Sequence, residues 1–376
     1  MPALRIGIDG RAFGSPAAGV RRYVTELVPA LLRGSERLEL VALGGDPATV
    51  PAGLAHVPEP WHPPTNLGWV SVGLPRAAAR GRVDVIHAPA YTAPLRSRLP
   101  VVLTIHDVSY ALHPEWYPYR RDRARRLFYR RSARMAAHVL TVSEFSRGEI
   151  AAAYDIPRER ITVTPHGVPR MFAAGEAGAA RPLPPGVTSP FVLHVGDLHE
   201  RRNLTFLLEA LVAARWRLDG TGLTLVLAGV DRGVGAALGM RAAAAGMPEA
   251  VVRLGPIADD ELRPLYGAAA ALVYPSRYEG FGLPLLEAMA SGTPVIASRA
   301  ASIPEVVGEA GVLLDPDDAE AWTRALVRVV SDPDECARLR QRGLARAAGF
   351  TWAEAARITA GVYRQVARPA MTEERS

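Results

Sequence analysis

The stretch "ALVYPSRYEGFGLPLLEAMASGTPVIAS", residues 271–298, decides the fold. It opens on a β-rich apolar run, 271–274, and breaks into a loop. Pro284 then stands at the start of an apolar segment. Proline suits the first turn of a helix, where its missing N–H costs nothing. The helix is expected to run through Leu285, Leu286, Ala288 and Met289 and to stop near Gly292, before a second strand at 295–297. Outward from this stretch the same alternation recurs. Strands are expected at 4–8, 38–43, 83–87, 101–105, 139–142 and 161–164, and again at 191–195, 223–228, 251–254 and 312–314. Such alternation predicts parallel sheets covered by helices.

Twelve strands are many for one doubly wound sheet. Between the two sets lies "PHGVPRMFAAGEAGAARPLPPGVTSP", residues 165–190, rich in Pro, Gly and Ala and without a sustained period. It reads as a domain crossing. The expectation is two Rossmann-like α/β domains, 1–168 and 185–350, facing a cleft that closes on a ligand. In such sheets ligands sit beyond the carboxyl ends of the strands.

Composition narrows the chemistry. The 376 residues are 49% hydrophobic and 22% charged, as in ordinary soluble proteins. The net charge is +6, and every basic side chain is arginine, because the chain has no lysine. Schiff-base and pyridoxal-phosphate enzymes need a lysine amine, and a Walker A loop needs one on its phosphates. These classes are excluded. Anions must be held by arginine, backbone N–H groups or helix ends. No apolar run approaches a membrane span, and "MPALRIGIDG" lacks a signal-peptide core, so a cytoplasmic protein is expected. Cys336 is the single cysteine, a bystander thiol that leaves no internal disulfide and no cysteine zinc site.

The opening stretch also carries two acids. Glu279 falls in the loop and Glu287 about one turn inside the helix. The N–H groups of Phe281, Gly282 and Leu283 open that helix, and Gly280 and Gly282 let a phosphate approach closely. Carboxylates beside an anion site do not bind the anion; they accept hydrogen bonds from hydroxyls on either side of it. A sugar ring on one side and a ribose on the other is the shape of a nucleotide-diphosphate sugar. Singly, a solvated loop acid, a helix-dipole partner and a turn glycine explain each residue equally well. The complete string after a buried strand favours the ligand.

"EGFGLPLLEAMASGTPVIAS" resembles the Glu-x7-Glu signature of retaining glycosyltransferases of family 4, which have the GT-B fold. The resemblance covers almost the whole chain. "IGIDGRAFGSPAAGVRRYVTEL" is similar to their first strand and glycine loop, and "VVLTIHDVSY" to the strand bearing their active-site histidine. "VLTVSEFSRGEI" and "TVTPHGV" match segments closing the first domain. "VLHVGDLHERRNLTFLLEAL" resembles the second-domain opening, and "VRLGPIADDELRPLYGAAAALVYPS" the nucleoside-side loop. "FTWAEAARITAGVYRQV" resembles the final helix, 352–368, which in this fold returns to the first domain. The mannosyltransferase-like branch is the nearest.

The resemblance implies a role for each matching residue. Glu279 would bond the donor sugar hydroxyls, Glu287 the ribose, and the Phe281–Leu283 N–H groups the diphosphate. Arg201 and Arg202 would face the diphosphate, with Arg202 standing where the family usually has lysine. Guanidinium is bulkier and planar, so the contact differs. Asp197 replaces an Arg or Thr of many relatives and takes no phosphate role. Gly19 would let the backbone approach the donor phosphate and acceptor, though a plain helix-entry glycine is an equal reading. His106 would contact the donor sugar near the reacting carbon. The reaction would move a hexose, mannose or glucose, from a GDP- or UDP-linked donor to a hydroxyl of a polysaccharide, glycolipid or small molecule. No cofactor and no metal are needed if arginines and the helix start neutralise the departing diphosphate.

Other signals are weaker. Asp-x-Asp in "LLDPDDAE", residues 313–320, suggests a metal site, but a proline and a following helix suit an N-cap better. "LAGVDRGVGAALG" misses the spacing of a dinucleotide loop, which argues against a nicotinamide dehydrogenase. "YRRDRARRLFYRRSARM", from Tyr119 to Met135, is either a solvated helix face or an interfacial helix touching anionic lipid. No recognition module accompanies it, so nucleic acid is not expected. A sugar-nucleotide epimerase of the same shape and a non-catalytic sugar-nucleotide-binding protein are the rival functions. The Glu-x7-Glu string opposes the first, and the intact set of Glu279, Glu287, Arg202 and His106 opposes the second.

Overall fold

Strands buried on both faces need apolar residues at successive positions. Leu4–Asp9 (β1), Leu38–Leu43 (β2), Val85–Ala88 (β4), Val101–Thr104 (β5), His138–Thr141 (β6) and Ile161–Val163 (β7) have this character. With the short Ala55–Val57 (β3) they form one parallel sheet in the order β3-β2-β1-β4-β5-β6-β7. The computed structural model describes residues 3–34, 37–61, 65–117, 122–172, 182–219 and 221–367. These fall into two compact units. The first comprises the residues up to Gly167 together with those from Thr351, and the second is Val168–Phe350.

In the first unit, successive residues point to opposite faces of the sheet. Val85, Val102 and Leu140 enter one core cluster, and Ile86, Leu103 and Val139 the other. The first cluster is covered by helix Ala18–Gly34, whose Val20, Tyr23, Val24, Leu27, Val28 and Leu31 recur at helical spacing. The C-terminal helix Trp352–Ala367 packs against it through Trp352, Ala355, Ala356, Ala360 and Tyr363. Each large side chain so buried contributes about 1.5–3 kcal/mol. Residue 368 lies outside the described residues.

The second unit has a six-stranded parallel sheet. Its strands are Phe191–Val195 (β8), Thr224–Ala228 (β9), Val251–Gly255 (β10), Ala271–Tyr274 (β11), Val295–Ser298 (β12) and Val312–Leu314 (β13). Their order is β10-β9-β8-β11-β12-β13. Both units are therefore doubly wound. Strand order reverses between β1 and β4 in the first and between β8 and β11 in the second.

One expectation needs correction. The described residues hold thirteen strands, not twelve. The missed β3, "AHV", is a three-residue edge strand, too short to show a period; among the described residues it pairs with β2 alone. The boundary between the two units, Gly167 to Val168, falls within the segment 165–190 that reads as the crossing. Arg170–Phe172 forms a 3-10 turn, and Phe172 is buried with its ring 5.5 Å from Tyr266. Residues 173–181 of that segment lie outside the described residues.

Candidate active site

In the second unit the chain leaves β8 through Gly196 and enters a 3-10 turn, Glu200–Arg202. It leaves β11, the neighbouring strand, through Pro275–Glu279. Both exits lie at the carboxyl ends of the strands flanking the reversal, the place where open α/β sheets bind ligands. There Arg202 Nη1 donates to Glu279 Oε1 and to the Tyr274 hydroxyl, and to Ser276 Oγ at 3.3 Å. The guanidinium carbon lies 5.0 Å from the centre of the Tyr274 ring. Arg201 Nη1 donates to the Tyr278 carbonyl at 3.0 Å and stands 3.7 Å from Glu279 Oε2. One carboxylate thus lies between two guanidinium groups. Arg202 and Glu279 are only 8% and 5% exposed, and burial on that scale requires a partner for each charge.

His194 on β8 stacks on Tyr274 at 5.4 Å and donates from Nδ1 to the Val273 carbonyl at 3.1 Å. Burial, and then the charge of Arg202, lower its pKa to about 3, so it adds no competing cation. Gly196 has φ +129°, and a Cβ there would lie 3.2 Å from Arg202 Nη2.

The loop and helix after Glu279 fold as expected. Gly282 caps helix Leu283–Ala290 in a left-handed conformation, φ +96°, with Pro284 in the first turn and Gly292 just past the end. Gly280 and Phe281 are buried. Ser302 Oγ donates to the Glu279 carbonyl at 2.9 Å and to that of Phe281 at 3.3 Å, tying the loop down. Glu287, 4% exposed, accepts from the Tyr266 hydroxyl at 2.9 Å.

In the first unit His106 stands just past β5. Its Nε2 lies 3.1 Å from the Pro89 carbonyl, which can only accept, so Nε2 carries the proton and Nδ1 the lone pair. Burial lowers its pKa. Tyr23 meets the ring edge-on at 5.0 Å, and His166 lies 5.7 Å away. Beneath it runs a buried chain. The Tyr363 hydroxyl lies 2.7 Å from His87 Nδ1, His87 Nε2 is 2.8 Å from Thr104 Oγ1, and Thr104 Oγ1 is 3.1 Å from the Tyr23 hydroxyl. Gly19 is exposed in the first turn of its helix, and a Cβ there would meet nothing within 4 Å.

Asp197 pairs with Arg232 at 2.9 Å, away from Arg202. Asp318 caps helix Ala319–Ser331, and Asp317 bonds Arg277 at 3.0 Å. Among the described residues no group of three or more His, Cys, Asp or Glu side chains is placed to hold a metal. Nor is any described helix long and apolar enough to cross a membrane. The arginine-rich stretch forms helix Arg123–Met135, capped by Asp122; residues 119–121 lie outside the described residues. Its exposed positions include Arg123, Leu127, Arg130, Arg131, Arg134 and Met135.

Tyr274, Ser276, His194 and Tyr266 are neighbours of this site that sequence reasoning did not single out. Their signal is their place at or just past a strand end, or in the helix before β11, and it needs the strand order to be read.

Two parallel-sheet Rossmann-like units of this kind make the GT-B fold of nucleotide-sugar-dependent glycosyltransferases. A sucrose-phosphate synthase from Thermosynechococcus elongatus shares that fold, with TM-score 0.74 and 22% identity over 96% of this chain and 99% of that one. Residues 17–170 match the family described as Glycosyltransferase Family 4, and residues 189–332 match Glycosyl transferases group 1. O-antigen chain mannosyltransferase B of Escherichia coli is 34% identical over 286 residues, 74% of each chain. MMP alpha-(1->4)-mannosyltransferase of Mycolicibacterium hassiacum is 32% identical over 76% of this chain and 72% of its own. The chain belongs to glycosyltransferase family 4 and is a glycosyltransferase.

Proposed function

We propose that this enzyme transfers mannose or glucose from a GDP- or UDP-linked donor to an acceptor hydroxyl on a polysaccharide, glycolipid or small molecule, retaining the anomeric configuration. The observation that carries the donor assignment is the convergence of Arg201, Arg202 and Glu279 where the second sheet reverses its strand order. In this reading Arg201, Arg202 and the start of helix Leu283–Ala290 take the diphosphate, with Gly280, Phe281 and Gly282 forming the approach. Glu279 takes sugar hydroxyls and Glu287 the ribose. The bond from the anomeric carbon to the phosphate oxygen breaks, and the acceptor oxygen bonds that carbon on the same face. The acceptor proton passes to the departing phosphate oxygen. The fixed cations stabilise the negative charge that develops there, without a metal ion. His106 stays neutral, and in this reading its Nδ1 would accept from the donor sugar near the reacting carbon, while the Cβ-free backbone at Gly19 would let the donor phosphate and acceptor approach.

We read the protein as cytoplasmic. The arginine face of helix Arg123–Met135, with Leu127 and Met135 48% and 59% exposed, supports peripheral contact with anionic lipid at the inner face of a membrane.

A thermal-shift panel of GDP-mannose, UDP-glucose, UDP-N-acetylglucosamine, UDP, GDP and a plain sugar phosphate, with and without EDTA, tests the donor assignment. A selective shift insensitive to EDTA is expected. No shift with any nucleotide would remove it.

A further inference from the structure

Arg202 is committed before any ligand arrives. Its Nη1 carries two hydrogens and faces three acceptors: Glu279 Oε1, the Tyr274 hydroxyl and Ser276 Oγ. Its Nε, in contrast, is buried with no acceptor among the described residues. Such an arrangement is incomplete, because a buried donor without a partner is costly. An oxyanion at the Nε edge would complete it. Glu279 has the opposite need. It has Arg202 on one oxygen and Arg201 3.7 Å from the other, so both of its oxygens already face cations.

The carboxylate therefore occupies the two arginines that the reading above gives to the diphosphate, and the inference rests on that reading. We propose that Glu279 is a displaceable stand-in for the donor's diphosphate. An intact nucleotide sugar brings both parts of an exchange. Its phosphates take Arg201 and Arg202, and its sugar hydroxyls replace the arginines on Glu279. A nucleoside diphosphate brings only the first part. When the sugar has left, the buried carboxylate has no hydroxyl partner and returns to the arginines, where it competes with the remaining phosphates. Product release is thereby driven by the same side chain that recognises the sugar.

Tyr274 and Ser276 are positioning residues in this exchange. The ring of Tyr274 and the two hydroxyls hold the guanidinium in place whichever anion it faces. Arginine suits the task better than a lysine would. Its planar fork presents separate edges, so carboxylate and phosphate can be traded without moving the side chain.

The test is calorimetric titration of the full chain with UDP, GDP and inorganic pyrophosphate, on wild type, Glu279→Gln, Glu279→Asp, Arg202→Met and the Glu279→Gln/Arg202→Met double variant. Melting curves check folding. Removing the internal anion should tighten the preferred nucleoside diphosphate, and pyrophosphate with it, by at least about fivefold. Glu279→Asp, with its carboxylate drawn back, should give a smaller gain and serves if the glutamine variant does not fold. Arg202→Met should weaken wild-type binding and abolish the gain in the double variant. Equal or weaker binding by both Glu279 variants, with Arg202→Met still harmful, would overturn the exchange and leave the donor site standing. Binding indifferent to Arg202, or absent throughout, would overturn both.

Discussion

Glu279 and Arg202 are buried because each supplies the charge the other lacks. Truncating the acid to alanine removes sugar recognition and should lower kcat/KM for transfer by about 100-fold or more, with a much smaller effect on nucleotide affinity. Turnover at the wild-type rate would refute the assignment. Glu287→Ala removes the acceptor of the Tyr266 hydroxyl and the proposed ribose contact, and nucleotide affinity should fall about tenfold. Unaltered affinity by titration would end the ribose role. At Gly196, alanine would press a methyl against Arg202 in a backbone region costly for side chains. Weakened binding of the preferred nucleoside diphosphate is expected there. The acids were legible in the sequence because a carboxylate after a buried strand, or inside an apolar helix, needs a reason. His194 and Tyr274 were not legible as a stacked pair beside Arg202. They lie on β8 and β11, brought side by side by a strand order that spacing along the chain does not encode.

At the scale of elements, helix Trp352–Ala367 is fixed to the first unit by more than apolar packing. The Tyr363 hydroxyl meets His87, which is fully buried and kept neutral by that burial, with a pKa of about 3. Tyr363→Phe leaves His87 Nδ1 without its partner and should cost about 1–3 kcal/mol in denaturant unfolding. A variant as stable as wild type would show that packing alone holds the helix. The sequence marks this helix by its periodic apolar residues, but its hydrogen-bonded pairing with His87 joins residues far apart in the chain. Elements with a long period or a terminal Gly or Pro were readable, as helix Leu283–Ala290 shows. β3 was not, because three residues at an edge carry no alternation.

For the molecule as a whole, two sheets were legible from the repeated strand–helix alternation and the irregular stretch between them. Their acid response follows from where the buried histidines fall. His87, His106, His138 and His166 in the first unit and His194 in the second all have pKa values lowered by burial. The unfolded chain therefore binds more protons below the ordinary histidine range, so stability falls as pH drops from about 6.5 toward about 3. Each such group contributes up to about 1.4 kcal/mol per pH unit. With four of these groups against one, acid should open the first unit before the second, which hydrogen exchange measured from pH 7 down to pH 4 would reveal. Loss of protection starting in the second unit would contradict this.

The most direct test of the central claim is release of nucleoside diphosphate from GDP-mannose, UDP-glucose and UDP-N-acetylglucosamine, followed in the presence of EDTA for wild type and Glu279→Ala. Wild type should turn over one donor preferentially, without added metal, and the variant should lose nearly all of that rate. Equal rates for both proteins, or no turnover of any donor by wild type, would contradict it.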